Sequence, residues 1–147
     1  MSETHRLTLN QSASCACGQV TLSLAGRVLS MFLCACLECQ KASGTGHAEV
    51  VLARRETITL TGPRTHYARP AASGATFTRE FCPACGAPIL GHSSRAPEIF
   101  MIPVGLFAPD NAWFAPNQVI FARSHQAWDT IADHLPRHQT YKEGLAP

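Results

Sequence analysis

Seven cysteines fall into three tight groups, and nothing else in the chain restricts its folding as much: Cys15-Ala16-Cys17, Cys34-Ala35-Cys36-Leu37-Glu38-Cys39 and Cys82-Pro83-Ala84-Cys85. The outer groups supply two thiols each, and two plus two is the ligand count of a closed tetrahedral zinc site. One ion held by Cys15, Cys17, Cys82 and Cys85 would tie an early strand to a late one. That is a structural job, and such a site contributes to folding because the unfolded chain has no preformed cage. The C-P-x-C-G form of the last group is the stronger signal, C-x-C the weaker. Three thiols remain, Cys34, Cys36 and Cys39. Three protein ligands leave one metal position for water or substrate, which is what separates catalytic from structural zinc. Spacing leaves alternatives open: Cys39 as a small buried hydrophobe, His47 or Glu38 as a fourth ligand, or a redox-sensing trio that oxidises and releases metal.

At 147 residues and 46% hydrophobic content the chain is the size of one domain, 1–147 with a core of about 12–135, able to bury an interior. A formal net charge of +2 with 15% charged residues argues against an electrostatic nucleic-acid binder or a polybasic membrane module. The polar start Met1-Ser2-Glu3-Thr4-His5-Arg6 is not that of a signal peptide, and the most apolar run, Val28 to Leu37, is too short for a bilayer, which needs about 20 residues. A cytoplasmic location is expected. In that reducing compartment clustered cysteines act as metal ligands rather than disulfides, and an odd count leaves one without a partner.

The chain reads as short strands separated by turns. Val20, Leu22 and Leu24 alternate with polar residues until Ala25-Gly26, where the strand is expected to end. Val28 to Leu33 forms a second strand leading into Cys34, with Cys34 and Cys36 on one side of an extended segment. Leu37 to Ala42 suits a helical turn that brings Cys39 round before Ser43-Gly44. Further strands are expected at Ala48–Leu52, Thr57–Thr61, Thr65–Ala68, Thr76–Phe81, Ile89–His92, Ile99–Val104 and Val119–Ala122, and a short helix at Trp128–Leu135. Gly86 permits the positive φ that lets a knuckle close after Cys85. Phe100, Phe107, Phe114 and Phe121 recur every seventh residue, but Pro103, Pro109 and Pro116 forbid a continuous helix, so the aromatics read as core. The pattern is that of a mainly β domain stapled by metal.

The order C-x-C-G, then C-x-C-x-x-C followed by Gln40-Lys41-Ala42-Ser43-Gly44, then Phe81-Cys82-Pro83-Ala84-Cys85-Gly86-Ala87-Pro88-Ile89, resembles the glutathione-dependent formaldehyde-activating enzyme family, also called the centromere protein V family. The likeness runs from about Cys15 to about Trp128, with Ala122-Arg123-Ser124 and Trp128 resembling its late segment. It implies an Mss4-like fold of stacked antiparallel sheets stapled by zinc. It also implies a structural zinc on Cys15, Cys17, Cys82 and Cys85 and a catalytic zinc on Cys34, Cys36 and Cys39, the occupancy of the second being left open. Two positions depart from the family pattern: Ala35 stands where histidine is often found, and Gln40 where arginine is common.

The activity implied is that of a carbon–sulfur lyase, forming or cleaving an S-hydroxymethyl adduct of a small thiol such as glutathione with a small aldehyde. Neither nucleic acid nor membrane is expected as a partner, and the oligomeric state is not readable. Glutathione carries two carboxylates, so cations should line its pocket, and Lys41, Arg54, Arg55 and Arg79 are the candidates near in sequence. His47, His66 and His92 are candidate bases, although a histidine chosen from sequence alone is more often structural or exposed. The rival readings are a non-catalytic zinc-binding interaction module and an enzyme of the same fold using another thiol or aldehyde. Arg54-Arg55 is no substitute for the basic stripe a chromatin-binding module would need.

Overall fold

A computed structural model describes residues 7–141. The order is β1 (Thr8–Ser14), β2 (Thr21–Cys34), α1 (Leu37–Ser43), β3 (Ala48–Arg54), β4 (Ile58–Thr61), β5 (Thr65–Pro70), β6 (Thr76–Phe81), β7 (Pro88–Ser93), β8 (Ile99–Pro103) and β9 (Val119–Ile120). Short 3-10 turns at Arg55–Thr57, Val104–Phe107 and Ala122–Ser124 complete it. The architecture is mainly antiparallel β, with strand order β1-β2-β3-β8-β7-β6-β5 and both β4 and β9 paired to β2. No helix of the described residues is long and apolar enough to cross a membrane.

The organising element is β2. Its first half pairs with β1 on one side (Leu24 opposite Gln11) and β4 on the other (Leu22 opposite Leu60). A register shift between Val28 and Ser30 passes the strand into a second sheet, where it pairs with β3 (Phe32 opposite Val50) and, in parallel, with β9. The expected break at Ala25-Gly26 is therefore absent, and β2 is one strand of 14 residues. Gly26 is a site of close approach rather than a stop: a Cβ there would lie 2.5 Å from Thr57 Cγ2 and 2.9 Å from its Cβ.

Alternation explains the burial. In the first half of β2, Leu22 and Leu24 point inward, and in β1 Leu9 and Ala13 do the same. Together with Val51, Ile89, Leu90, Phe100 and Ile102 from the second sheet they form the main core. From Met31 to Cys34 every residue is buried, since both faces are covered. Phe32 and Cys34 pack with Val50 and Phe121 on one side, while Leu33 packs with Val119, Ile131 and Leu135 on the other. Phe100, Phe107 and Phe121 are buried and Phe114 packs against the core, so the seven-residue spacing carries no helix.

Two further expectations are corrected. The last strand stops at Ile120, because Phe121 adopts a left-handed conformation (φ 55°) that ends the extended run. Trp128–Leu135 is not helical but a series of turns. Its carbonyls are taken by a side chain instead: the Arg137 guanidinium donates to Ile131 O at 3.2 Å and to Leu135 O at 3.1 Å. Ile131 and Leu135 are buried, whereas Trp128 is exposed.

Candidate metal centres

The outer cysteine pairs sit on two similar knuckles, one between β1 and β2 and one between β6 and β7. In each, the first cysteine's N–H bonds a carbonyl five residues on: Cys15 N to Val20 O, 3.0 Å, and Cys82 N to Ala87 O, 3.0 Å. Each first sulfur also accepts a backbone N–H, from Val20 at 3.3 Å in one knuckle and from Cys85 at 3.5 Å in the other. Cys15 and Cys82 are buried, Cys17 and Cys85 exposed. Gly86 has φ 77° and its N–H returns to Cys82 O at 2.8 Å, the closure expected of it.

All four sulfurs lie within 4.8 Å of one another, with Cys15–Cys17 at 3.6 Å and Cys17–Cys82 at 3.7 Å. A tetrahedron of sulfurs at about 2.3 Å from a zinc ion has edges of about 3.8 Å, so the donor set fits such an ion. The N–H groups of Ala87 and Cys17 pull the Cys85 thiol down to about 6, favouring the thiolate that metal binding requires.

The central trio gathers at the junction of β2 and α1. Cys34 ends β2; Cys36, still extended (ψ 156°), caps α1 by accepting the Cys39 N–H on its sulfur at 3.3 Å. One helical turn later Cys39 comes round, and the three sulfurs lie within 4.8 Å of one another. Hydrogen bonds from Cys34 and Cys39 pull Cys36 down to about 2 against the opposing effect of burial, while the contact with Cys36 pushes Cys34 up. Cys34 favours ionisation of Cys39, but Cys36 and burial outweigh it and push Cys39 up to about 12. Three thiolates this close repel one another, so a full set needs a cation in their midst.

No fourth His, Asp or Glu among the described residues joins the trio. His47 is held elsewhere: its Nδ1 meets Asp129 Oδ2 at 2.6 Å and its Nε2 meets Glu49 Oε1 at 3.1 Å. The same Asp129 oxygen takes His125 Nε2 at 2.9 Å, so a His–Asp–His bridge straps the late segment to the start of β3. Burial would raise Asp129, but its hydrogen bonds and charge contacts with the two histidines hold it below the usual carboxylate range. Glu38 points toward Arg69, 3.6 Å away. Gln40 clasps the trio's own loop: its Nε2 donates to Ala35 O at 3.0 Å and to Ser124 O at 2.9 Å.

Of the candidate cations, Arg54 and Arg55 lie at the far end of β3 from the trio. Cys34 is paired with Ala48, and six residues of strand amount to about 20 Å. Lys41 is exposed in the last turn of α1. His66 and His92 line a shallow depression with Arg64 and Glu80 on the other face of the β5–β6–β7 sheet from Arg79. Arg79 is beside the trio, and with it Arg69, which sequence reasoning passed over. The missed signal was alternation across the hairpin: Tyr67 is opposite Arg79 and Arg69 is opposite Phe77, placing all four on one face.

Fold and site together define a small, mainly antiparallel β protein with two cysteine clusters that could each hold a metal ion. Comparison with known proteins narrows this class. The family model described as glutathione-dependent formaldehyde-activating enzyme matches residues 10–124, and the chain belongs to that family. The Mss4-like arrangement expected from the resemblance is consistent with the observed sheets. Among solved structures the chain is similar to a Rhodobacter sphaeroides protein determined as a structural genomics target, with a TM-score of 0.55 and 20% identity over 70% of this chain and 93% of that one. At that identity the likeness concerns the fold. No curated protein matches.

Proposed function

We propose that this protein is a zinc-dependent carbon–sulfur lyase of the formaldehyde-activating type, which joins a small thiol such as glutathione to formaldehyde and cleaves the adduct in reverse. The observation that carries this reading is the trio Cys34, Cys36 and Cys39, three sulfurs brought together without a fourth ligand among the described residues. Family membership supports the same chemistry. In this reading Cys15, Cys17, Cys82 and Cys85 hold a structural zinc, and the trio holds the zinc of the reaction centre. Bound there, zinc supplies a soft Lewis acid that keeps a thiol sulfur ionised at neutral pH.

The chain's own residues orient this centre. The Cys39 N–H fixes the Cys36 sulfur, and Gln40 holds α1 against the segment at Ser124, which sets where Cys39 points. Ala35 is fully buried and brings no titratable group between the first two sulfurs. The reaction balances simply: the thiol's S–H bond breaks, its sulfur bonds the aldehyde carbon, and the proton ends on the aldehyde oxygen.

The test is exchange spectroscopy by nuclear magnetic resonance on the glutathione–formaldehyde adduct with zinc-loaded protein. Exchange should be faster than in buffer and return to the buffer rate with Cys36→Ser. A wild-type rate equal to that of buffer would sink the reading.

A further inference from the structure

We propose that Arg69 and Arg79, flanking the ring of Phe77 beside the cysteine trio, form the subsite that binds a carboxylate of the thiol substrate. The inference rests on the proposed activity and names the substrate class more closely: thiols that carry a carboxylate.

The β5–β6 hairpin builds the platform. With Arg69 opposite Phe77 and Arg79 opposite Tyr67, both guanidiniums stand on one face of the two strands. Arg69 Cζ lies 4.9 Å and Arg79 Cζ 5.7 Å from the centre of the Phe77 ring, so one aromatic ring positions two cations. Phe77 itself lies down over β7 because Gly91 has no side chain: a Cβ there would overlap the ring tip and come within 3.1 Å of Cε1 and Cε2.

Two observations favour an anionic ligand here. The Nε of Arg69 is buried and has no hydrogen-bond partner among the described residues. Its acidic neighbour, Glu38, stays 3.6 Å away on a side chain that is 46% exposed, too far for a hydrogen bond to that nitrogen. A buried guanidinium N–H left without an acceptor is costly, and a carboxylate takes the planar fork of arginine through paired bonds. The platform also adjoins the trio. Glu38 sits between Cys36 and Cys39 on α1, and its carboxylate lies 3.6 Å from Arg69, so the hairpin face reaches the helix that carries the trio. In a cysteine-containing peptide the carboxylate one residue beyond the cysteine is about 7 Å from the sulfur when extended. A thiol anchored at the trio can therefore place its acid group on the neighbouring hairpin.

Isothermal titration of zinc-loaded protein tests this without relying on turnover. Glutathione, its diethyl ester and 2-mercaptoethanol are compared on wild type, Arg69→Gln and Arg79→Gln. Wild type should bind glutathione about 10- to 100-fold more tightly than the ester, the scale of a charge-assisted hydrogen-bonded pair. Each variant should lose most of that advantage and bind 2-mercaptoethanol as wild type does. An ester that binds wild type as tightly as glutathione overturns the proposal even if the variants fold poorly, and so does an equal loss for all three thiols in the variants. Failure of the lyase reading is separate: it would appear as tight, carboxylate-dependent glutathione binding with no acceleration of adduct exchange.

Discussion

Gly62 offers a sharp test of how the first knuckle is held. It follows β4 with φ 97°, a conformation that residues with a Cβ rarely adopt. A Cβ there would overlap the Gln19 carbonyl oxygen and lie 2.9 Å from Gln19 C and 3.0 Å from Val20 Cα. Backbone must move, not a side-chain tip. Val20 is fully buried, and the Gln19–Val20 peptide is the one whose N–H donates to Cys15 Sγ. Forcing the carbonyl away turns that N–H off the sulfur. For Gly62→Ala the left-handed strain costs about 1–2 kcal/mol and the overpacking about 1–3 kcal/mol, together about 3 kcal/mol. Gly74→Ala is the control, since φ is 88° there too but a Cβ meets only the far end of Arg95, at 3.3 Å. It should lose about 1 kcal/mol, the conformational part alone. Urea unfolding of the metal-loaded proteins reads the difference, and a chromophoric chelator should take the first ion from Gly62→Ala about 10-fold more readily, the worth of one charge-assisted hydrogen bond. Equal stability of the two variants with unchanged chelator competition would refute the coupling between Gly62 and the knuckle.

The two cysteine groups should separate on mutation. Cys36→Ser should lower bound zinc from about two equivalents to about one in a protein that stays folded, whereas Cys82→Ser should compromise folding, because the outer site joins distant strands; metal analysis and circular dichroism check this, and equal loss of structure in both would argue for one shared cluster. Asp129, held below its ordinary value of 3.8, contributes stability that is present above pH 3.8 and is lost as pH falls through its lower folded value. Asp129→Asn should therefore be less stable than wild type by about 1–3 kcal/mol at neutral pH, with the gap closing in acid; comparison at each pH cancels metal loss common to both, and a gap constant from pH 7 to pH 3 would contradict the role given to the bridge.

The division of the sulfurs into four and three was legible because each group is local and short-range spacing sets which way its thiols point. Strand positions followed from alternation for the same reason. What escaped the sequence depends on partners far along the chain. Thr8–Ser14 is a strand with few large apolar residues, and among the described residues its strand partner is β2 alone, so its alternation of Leu9 and Ala13 with polar residues is faint. Gly26 has the composition of a break and the role of a contact, which only the position of Thr57 discloses. The turns at Trp128–Leu135 hold because Arg137 supplies the donors that a helix would have taken from its own backbone. Arg69 and Arg79 are ten residues apart in sequence and meet only through the register of a hairpin. His47, a candidate ligand by proximity, is committed to carboxylates on both ring nitrogens.

The continuous run of β2 makes a rod about 45 Å long, one end emerging from the first knuckle and the other ending in Cys34. Among the described residues this rod is the strand common to both sheets, so losing either sheet strips one half of it of its partners. A single cut between residues 21 and 34 would leave Cys15 and Cys17 on one fragment and the other five cysteines on the second, so the four sulfurs of the outer site would be divided between two chains.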